Sequence, residues 1–138
     1  MRVSLDTNVL VSATATRGIC ADVLQLILAE HQLVLGETVL GELRRVLVEK
    51  FLVPQDLALE TEQFLRREAV IVTTAPALGI QVRDKDDVAV LEEAVAGEAA
   101  VLVTGDADLL DAARLAPLNI LTPRSFWDNL RSGELPEG

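Results

Sequence analysis

The stretch Ala100-Val101-Leu102-Val103-Thr104-Gly105-Asp106-Ala107-Asp108-Leu109-Leu110 decides how this chain is read. An unbroken apolar run stops at a threonine, turns on a glycine followed by two acids, and resumes as a second apolar stretch. A short apolar run bounded by turn residues reads as a buried strand. Gly105 permits the tight turn, and Asp108, just before Leu109-Leu110, is placed to cap a helix running toward Arg114. Capping accounts for Asp108 and leaves Asp106 without a structural task. The start of the chain repeats the pattern, with Val3-Ser4-Leu5 running into Asp6-Thr7-Asn8 and then Val9-Leu10-Val11.

Working outward, the predicted strands are Arg2 to Leu5, Gln32 to Leu35, Ala69 to Thr73, Ala100 to Thr104 and Asn119 to Leu121. Between them Cys20 to Glu30, Glu37 to Phe51, Gln55 to Arg67 and Asp87 to Ala96 read as helices, and Pro123 to Leu130 as a last one. Thr122-Pro123 supports that final start, with a hydroxyl cap and proline at the first helical position. Strands alternating with helices indicate an α/β fold with a mostly parallel sheet of about five strands. Ligands in such sheets bind beyond the carboxyl ends of the strands, and both strand exits quoted above are acidic. One domain over residues 1–131 is expected, with a flexible tail over 132–138.

The chain has 138 residues, with 12 Lys+Arg against 22 Asp+Glu, so 12 − 22 gives a formal charge of −10. This acidity excludes nucleic-acid binding by a broad basic surface alone, but not a nuclease whose carboxylates are neutralised by metal. Half the residues are hydrophobic, enough for a real core. A lone cysteine, Cys20, excludes disulfide scaffolds and thiolate zinc clusters. The absence of a long apolar run and the early acid Asp6 argue against a membrane span or signal peptide, so a cytoplasmic protein is expected.

The acids carry the chemistry. Asp6 reads equally as an N-cap and, with Thr7 and Asn8, as part of an oxygen-rich site for a hard cation. Glu42 lies in the Glu37 to Phe51 helix, about 40° from Val46 at about 100° per residue, at the border of the stripe Val39, Leu43, Val46 and Leu47. It either snorkels to solvent or is drawn inward by a cation; Arg44 and Arg45 point elsewhere. Asp84-Lys85-Asp86-Asp87 places three acids in four residues at a helix start, more than the helix dipole alone calls for. Such a cluster is stable chiefly when it holds divalent cations.

In this order the motifs resemble the PIN domain family of metal-dependent ribonucleases. The matching pieces are Leu5-Asp6-Thr7-Asn8-Val9-Leu10-Val11-Ser12, Leu40-Gly41-Glu42-Leu43-Arg44-Arg45-Val46-Leu47, Arg83-Asp84-Lys85-Asp86-Asp87 and Val103-Thr104-Gly105-Asp106-Ala107-Asp108-Leu109-Leu110. They span nearly the whole chain and are most similar to toxin components of toxin–antitoxin pairs. The resemblance implies a PIN-like three-layer α/β/α sandwich. It also implies catalytic acids at Asp6, Glu42, Asp87 and Asp106, and metal ligands at Asp6, Asp87, Asp106 and Asp108. Thr7, Asn8, Asp86 and Thr104 would orient that site or contact substrate. Asp86 competes with Asp87 for the third role; Asp87 is preferred because Val90, Leu91 and Ala94 then fall where the family's helix packs. Gly36-Glu37-Thr38 departs from the serine-led start common to the Glu42 helix, and Lys85 stands where a proline is frequent.

The resemblance further implies Mg2+ or Mn2+ as cofactor, activation of a water for in-line attack on an RNA phosphodiester, a small antitoxin protein as partner, and homodimerisation. Arg17, Arg44, Arg45, Arg83 and Arg124 are candidates for holding the RNA backbone, against the plainer reading of solvated helix faces. The aromatics Phe51, Phe64, Phe126 and Trp127 sit in apolar helical patterns and are assigned to the core rather than to base stacking. His31 reads as a helix-end residue. Two other classes compete. A dehalogenase-like phosphatase needs a second acid two residues after Asp6, where Asn8 stands, and a receiver domain needs a lysine near the last strand, whereas only Lys50 and Lys85 exist. A non-catalytic binding module on the same fold would not need all four acids.

Overall fold

A computed structural model describes residues 1–80, 82 and 85–133. The predicted residues Arg83 and Asp84, and the tail beyond Gly133, lie outside the described residues. The elements run β1 (Arg2–Leu5), α1 (Thr7–Ala15), α2 (Ile19–Glu30), β2 (Gln32–Gly36), α3 (Glu37–Glu49), α4 (Gln55–Glu68), β3 (Val70–Val72), α5 (Lys85–Ala96), β4 (Val101–Val103), α6 (Ala107–Asp111), a 3-10 turn (Ala112–Arg114), β5 (Asn119–Leu121) and α7 (Pro123–Ser132). All four strand pairings are parallel, in the order β3-β2-β1-β4-β5. The result is the α/β sandwich expected from the sequence.

The burial pattern explains the sheet. Val3, Ser4 and Leu5 in β1, and Val101, Leu102 and Val103 in β4, are all buried, so both faces of the central strands are covered. Continuous apolar runs rather than alternating ones are what a parallel sheet covered on both faces requires. The edge strands β3 and β5 are only partly covered. Helix α3 turns Val39, Leu40, Leu43, Val46 and Leu47 inward, the stripe expected from the sequence together with Leu40. Helix α7 begins as its residues specify, with the Thr122 hydroxyl accepting from Ser125 N at 3.1 Å and Pro123 in the first turn.

The strand order places the site. The chain begins at the centre, builds outward through β2 to β3, then crosses back to lay β4 on the other side of β1. The carboxyl ends of β1 and β4 therefore flank the point where the order reverses, which is where open α/β sheets bind ligands. Asp6 N donates to Val103 O at 3.1 Å, stitching the two strand exits together.

Asp6 sits at a strand-to-helix junction and opens a full helix, α1, whose length the apolar triplet Val9-Leu10-Val11 alone does not delimit. The reading of the aromatics is corrected. Phe51 and Phe64 are exposed, not core: Phe51 follows the end of α3, Phe64 lies on α4 along a groove shared with Ala13, Leu24 and Leu28, and only Phe126 of the aromatics is fully buried. Local helical patterning identifies an apolar stripe but not whether another element covers it. Among the described residues no single helix is long and apolar enough to cross a membrane.

Candidate functional site

Asp6 ends β1 and caps α1, its Oδ1 accepting from Val9 N at 2.8 Å. Its Oδ2 accepts a short hydrogen bond from Thr104 Oγ1. Thr104 is wholly buried and also accepts from Asp106 N at 3.0 Å, so one hydroxyl joins the β1 exit to the turn after β4. Asp6 is thus the N-cap of α1 and also lines the cavity at the strand exits.

The turn after β4 reverses the expected roles of its acids. Asp106, not Asp108, is the N-cap of α6, with Oδ1 accepting from Asp108 N at 2.8 Å and Leu109 N at 3.2 Å. Asp108 lies inside the first turn, released from capping. Sequence spacing alone could not separate them, because either acid precedes the apolar pair by a distance compatible with a cap.

Asp6, Thr7, Asn8, Glu42, Asp86, Asp87, Val90 and Asp106 line one cavity of about 150 Å3 at the carboxyl ends of β1 and β4. Asp87, Asp106 and Asp108 each present a carboxylate oxygen within 4.8 Å of the others. The structure therefore gathers every acid singled out in the described sequence; Asp86 and Asp87 both reach the cavity, but only Asp87 joins the three-acid cluster. Burial pushes the Asp6 carboxyl above the usual carboxylate range, and nearby Asp106 adds to that push, while the bonds from Thr104, Val9 and Asn8 pull the other way. Like charges held this close call for a positive counterpart.

Two features bear on a cation. The chemistry is all-oxygen, which suits a hard divalent ion. Thr7, 6% exposed, buries its Oγ1 with no hydrogen-bond partner, the one such side-chain atom among the described residues. Orphaned buried hydroxyls are uncommon in native proteins and point to a missing ligand or water. The residues fit a divalent cation.

The arginines are differently disposed. Arg44 pairs at 3.5 Å with the largely buried Glu62 of α4, and Arg45 pairs at 3.7 Å with Glu49 on an exposed face of α3. Arg66 grips Glu37 with two bonds of 2.6 and 2.9 Å and Glu62 with a third of 2.9 Å, tying α4 to the start of α3. That bidentate bond from Arg66 holds the Glu37 carboxyl below its usual range.

Sequence reasoning missed Glu93. It lies on the buried face of α5 beside Val90 and Ala94, is 9% exposed, and its carboxylate accepts from Thr38 N at 3.2 and 3.3 Å and from Thr38 Oγ1 at 3.1 Å. Burial raises its pKa, opposed by the Thr38 bonds. The available signal was an acid standing within an otherwise apolar helical stripe.

A parallel sheet with acids converging on a cleft at its switch point defines a class of α/β domain. Comparison with known families makes the assignment specific: the PIN domain profile matches residues 2–108, and the chain belongs to the PIN domain family. A search of curated protein sequences finds no match. Among solved structures, the fold is similar to VapBC-1 from nontypeable Haemophilus influenzae, with a TM-score of 0.66, 16% identity, and coverage of 90% of this chain and 99% of that one. It is likewise similar to VapBC2 from Rickettsia felis bound to a DNA fragment from their promoter, at TM-score 0.62, 17% identity, and 88% and 97% coverage. FitAcB from Neisseria gonorrhoeae superposes with a TM-score of 0.57 at 17% identity, over 88% and 98%.

Proposed function

We propose that this protein is a cytoplasmic endoribonuclease dependent on Mg2+ or Mn2+, acting as the toxin of a toxin–antitoxin pair. The observation that carries the reading is the three-acid cluster Asp87, Asp106 and Asp108 beside Asp6 and Glu42 in one cleft. A divalent ion bound there would supply activation of a water and stabilisation of charge on the leaving phosphodiester oxygen. Asp6, Asp87, Asp106 and Asp108 would hold it, with Glu42 completing the acidic wall. Thr104 fixes Asp6 against the Asp106 turn. The unpartnered Thr7 Oγ1 would offer a hydroxyl to a bound ion, and exposed Asn8 and Asp86 would meet an RNA strand at the rim. The similarity to VapBC and FitAcB structures supports a small antitoxin as partner; a basic side chain of that partner entering the acidic cleft, and pairing of the toxin as a homodimer, belong to the same proposal.

The test is incubation of the purified protein with labelled single-stranded RNA and Mg2+ or Mn2+, beside EDTA and Asp106→Asn. Asparagine caps helices as well as aspartate, so this variant keeps the α6 start while losing the charge. Cleavage in the wild type that disappears in both controls, by more than the ~10–100-fold typical of outer-shell changes, is the expected result. Cleavage that survives Asp106→Asn overturns the site; no cleavage and no cation binding favours a non-catalytic module.

A further inference from the structure

We infer that Glu93 is a positioning residue that caps α3 from α5 and thereby sets Glu42 against Asp87 across the cleft. The inference rests on the nuclease reading and deepens it. Helix α3 starts at Gly36, which offers no side chain to the free N–H groups of the first turn. Glu93 takes that task from 55 residues away, accepting from both the amide and the hydroxyl of Thr38. An anion at a helix N-terminus also meets the positive end of the helix dipole.

Gly36 is what lets it in. A Cβ added there would lie 2.1 Å from Glu93 Oε1 and 2.6 Å from Glu93 Cβ, closer than atoms can approach. The unusual helix start Gly36-Glu37-Thr38 and the buried acid Glu93 are thus two halves of one device. A buried carboxylate is costly unless its oxygens are bonded, and Thr38 bonds both of them.

The geometry links this device to the cleft. Thr38 and Glu42 are four residues apart, neighbours on one face of α3 about 6 Å along its axis. Asp86, Val90 and Glu93 form the matching stripe on α5, with Asp86 and Val90 lining the cavity together with Glu42. The Thr38–Glu93 tie therefore joins the two helices about one turn from Glu42 on α3 and just under two turns from Asp86 and Asp87 on α5. Arg66 holds the preceding residue, Glu37, from α4, so the base of α3 is fixed on both sides. Glu42 is left with little freedom to shift relative to Asp87.

The experiment compares wild type, Glu93→Gln and Glu93→Ala by two readouts: the 13C resonance of the Glu42 side-chain carboxyl, and the dissociation constant for Mn2+ alone. Glu93→Ala should move the Glu42 resonance and weaken Mn2+ about 10-fold, the scale of outer-shell losses at metal sites. Glu93→Gln, which keeps an acceptor for Thr38, should recover most of both. A folded Glu93→Ala protein with Glu42 resonance and Mn2+ affinity equal to wild type overturns the inference. Should Glu93→Ala not fold, Thr38→Val removes one bond and leaves Glu93 in place: a Glu42 resonance that moves supports the tie, one that stays overturns it. If wild type binds no Mn2+, the nuclease reading falls, and the Glu42 resonance alone decides the positioning role.

Discussion

Thr104→Val tests the hydroxyl that joins the two strand exits. Valine keeps the shape and β-branching of threonine but removes the Oγ1 that donates to Asp6 and accepts from Asp106 N. Thr104 is fully buried and Asp6 only 5% exposed, so no water replaces the hydroxyl without opening the structure. A hydrogen bond to a charged group contributes ~1.5–3 kcal/mol and a neutral one ~0.5–1.5 kcal/mol, so the loss should be about 3 kcal/mol. For a chain of this size that lowers the melting temperature by about 10 °C. The sign with pH depends on which form of Asp6 the bond favours. The Thr104 bond lowers the Asp6 pKa, stabilising the carboxylate against the burial that raises it. Its contribution is therefore present when Asp6 is ionised and fades as pH falls through the folded-state pKa, which lies above the ordinary carboxylate value. Melting curves by circular dichroism, with EDTA present, should show the largest deficit near neutral pH and a shrinking one toward pH 4. A deficit that grows on acidification, or none at neutral pH, refutes the bridge.

Asp6→Asn should abolish RNA cleavage yet raise the melting temperature in chelator, because burial and Asp106 both disfavour the Asp6 charge; the folded state binds more protons than the unfolded one, so the gain should appear as pH rises above the ordinary carboxylate pKa. A variant as active as wild type, or less stable than it at neutral pH, sinks this account of Asp6. Mn2+ at 100 times its dissociation constant should stabilise the wild type by about 2.7 kcal/mol, read as a melting shift that EDTA reverses; an unchanged melting temperature in a protein that binds Mn2+ would mean that unfolded chain binds it equally. Gly36→Ala should cost about 2 kcal/mol or more in urea unfolding, since the added methyl displaces Glu93, and a neutral substitution would show that the N-terminus of α3 tolerates another arrangement.

Much of the fold was legible because its signals are local. Apolar runs such as Val101-Leu102-Val103 mark strands buried on both faces, and Thr122-Pro123 marks a helix start, through interactions spanning only a few residues. The acids Asp6, Glu42, Asp87 and Asp106 were visible as charges placed at strand exits and helix borders. What remained undecided depended on distant parts of the chain. Both Asp106 and Asp108 stand within capping reach of α6, and the bond from Asp106 N to Thr104 settles the turn so that Asp106 caps.

By itself the sequence determined the alternation of strands and helices, the chemistry of the strand exits, and the oxygen-only character of any cation site, because these depend on residue type and spacing. Only the tertiary structure decided that β4 lies beside β1, which brings residues 98 positions apart into one hydrogen bond between Thr104 and Asp6. It alone showed Phe51 and Phe64 to be exposed, although the helical patterns they sit in also carry buried residues such as Leu47 and Leu65. It alone gave Glu93 its place, because a helix cap supplied from another helix leaves no local signature: the free N–H groups are on α3, the carboxylate is on α5, and packing of the two against the sheet makes them partners.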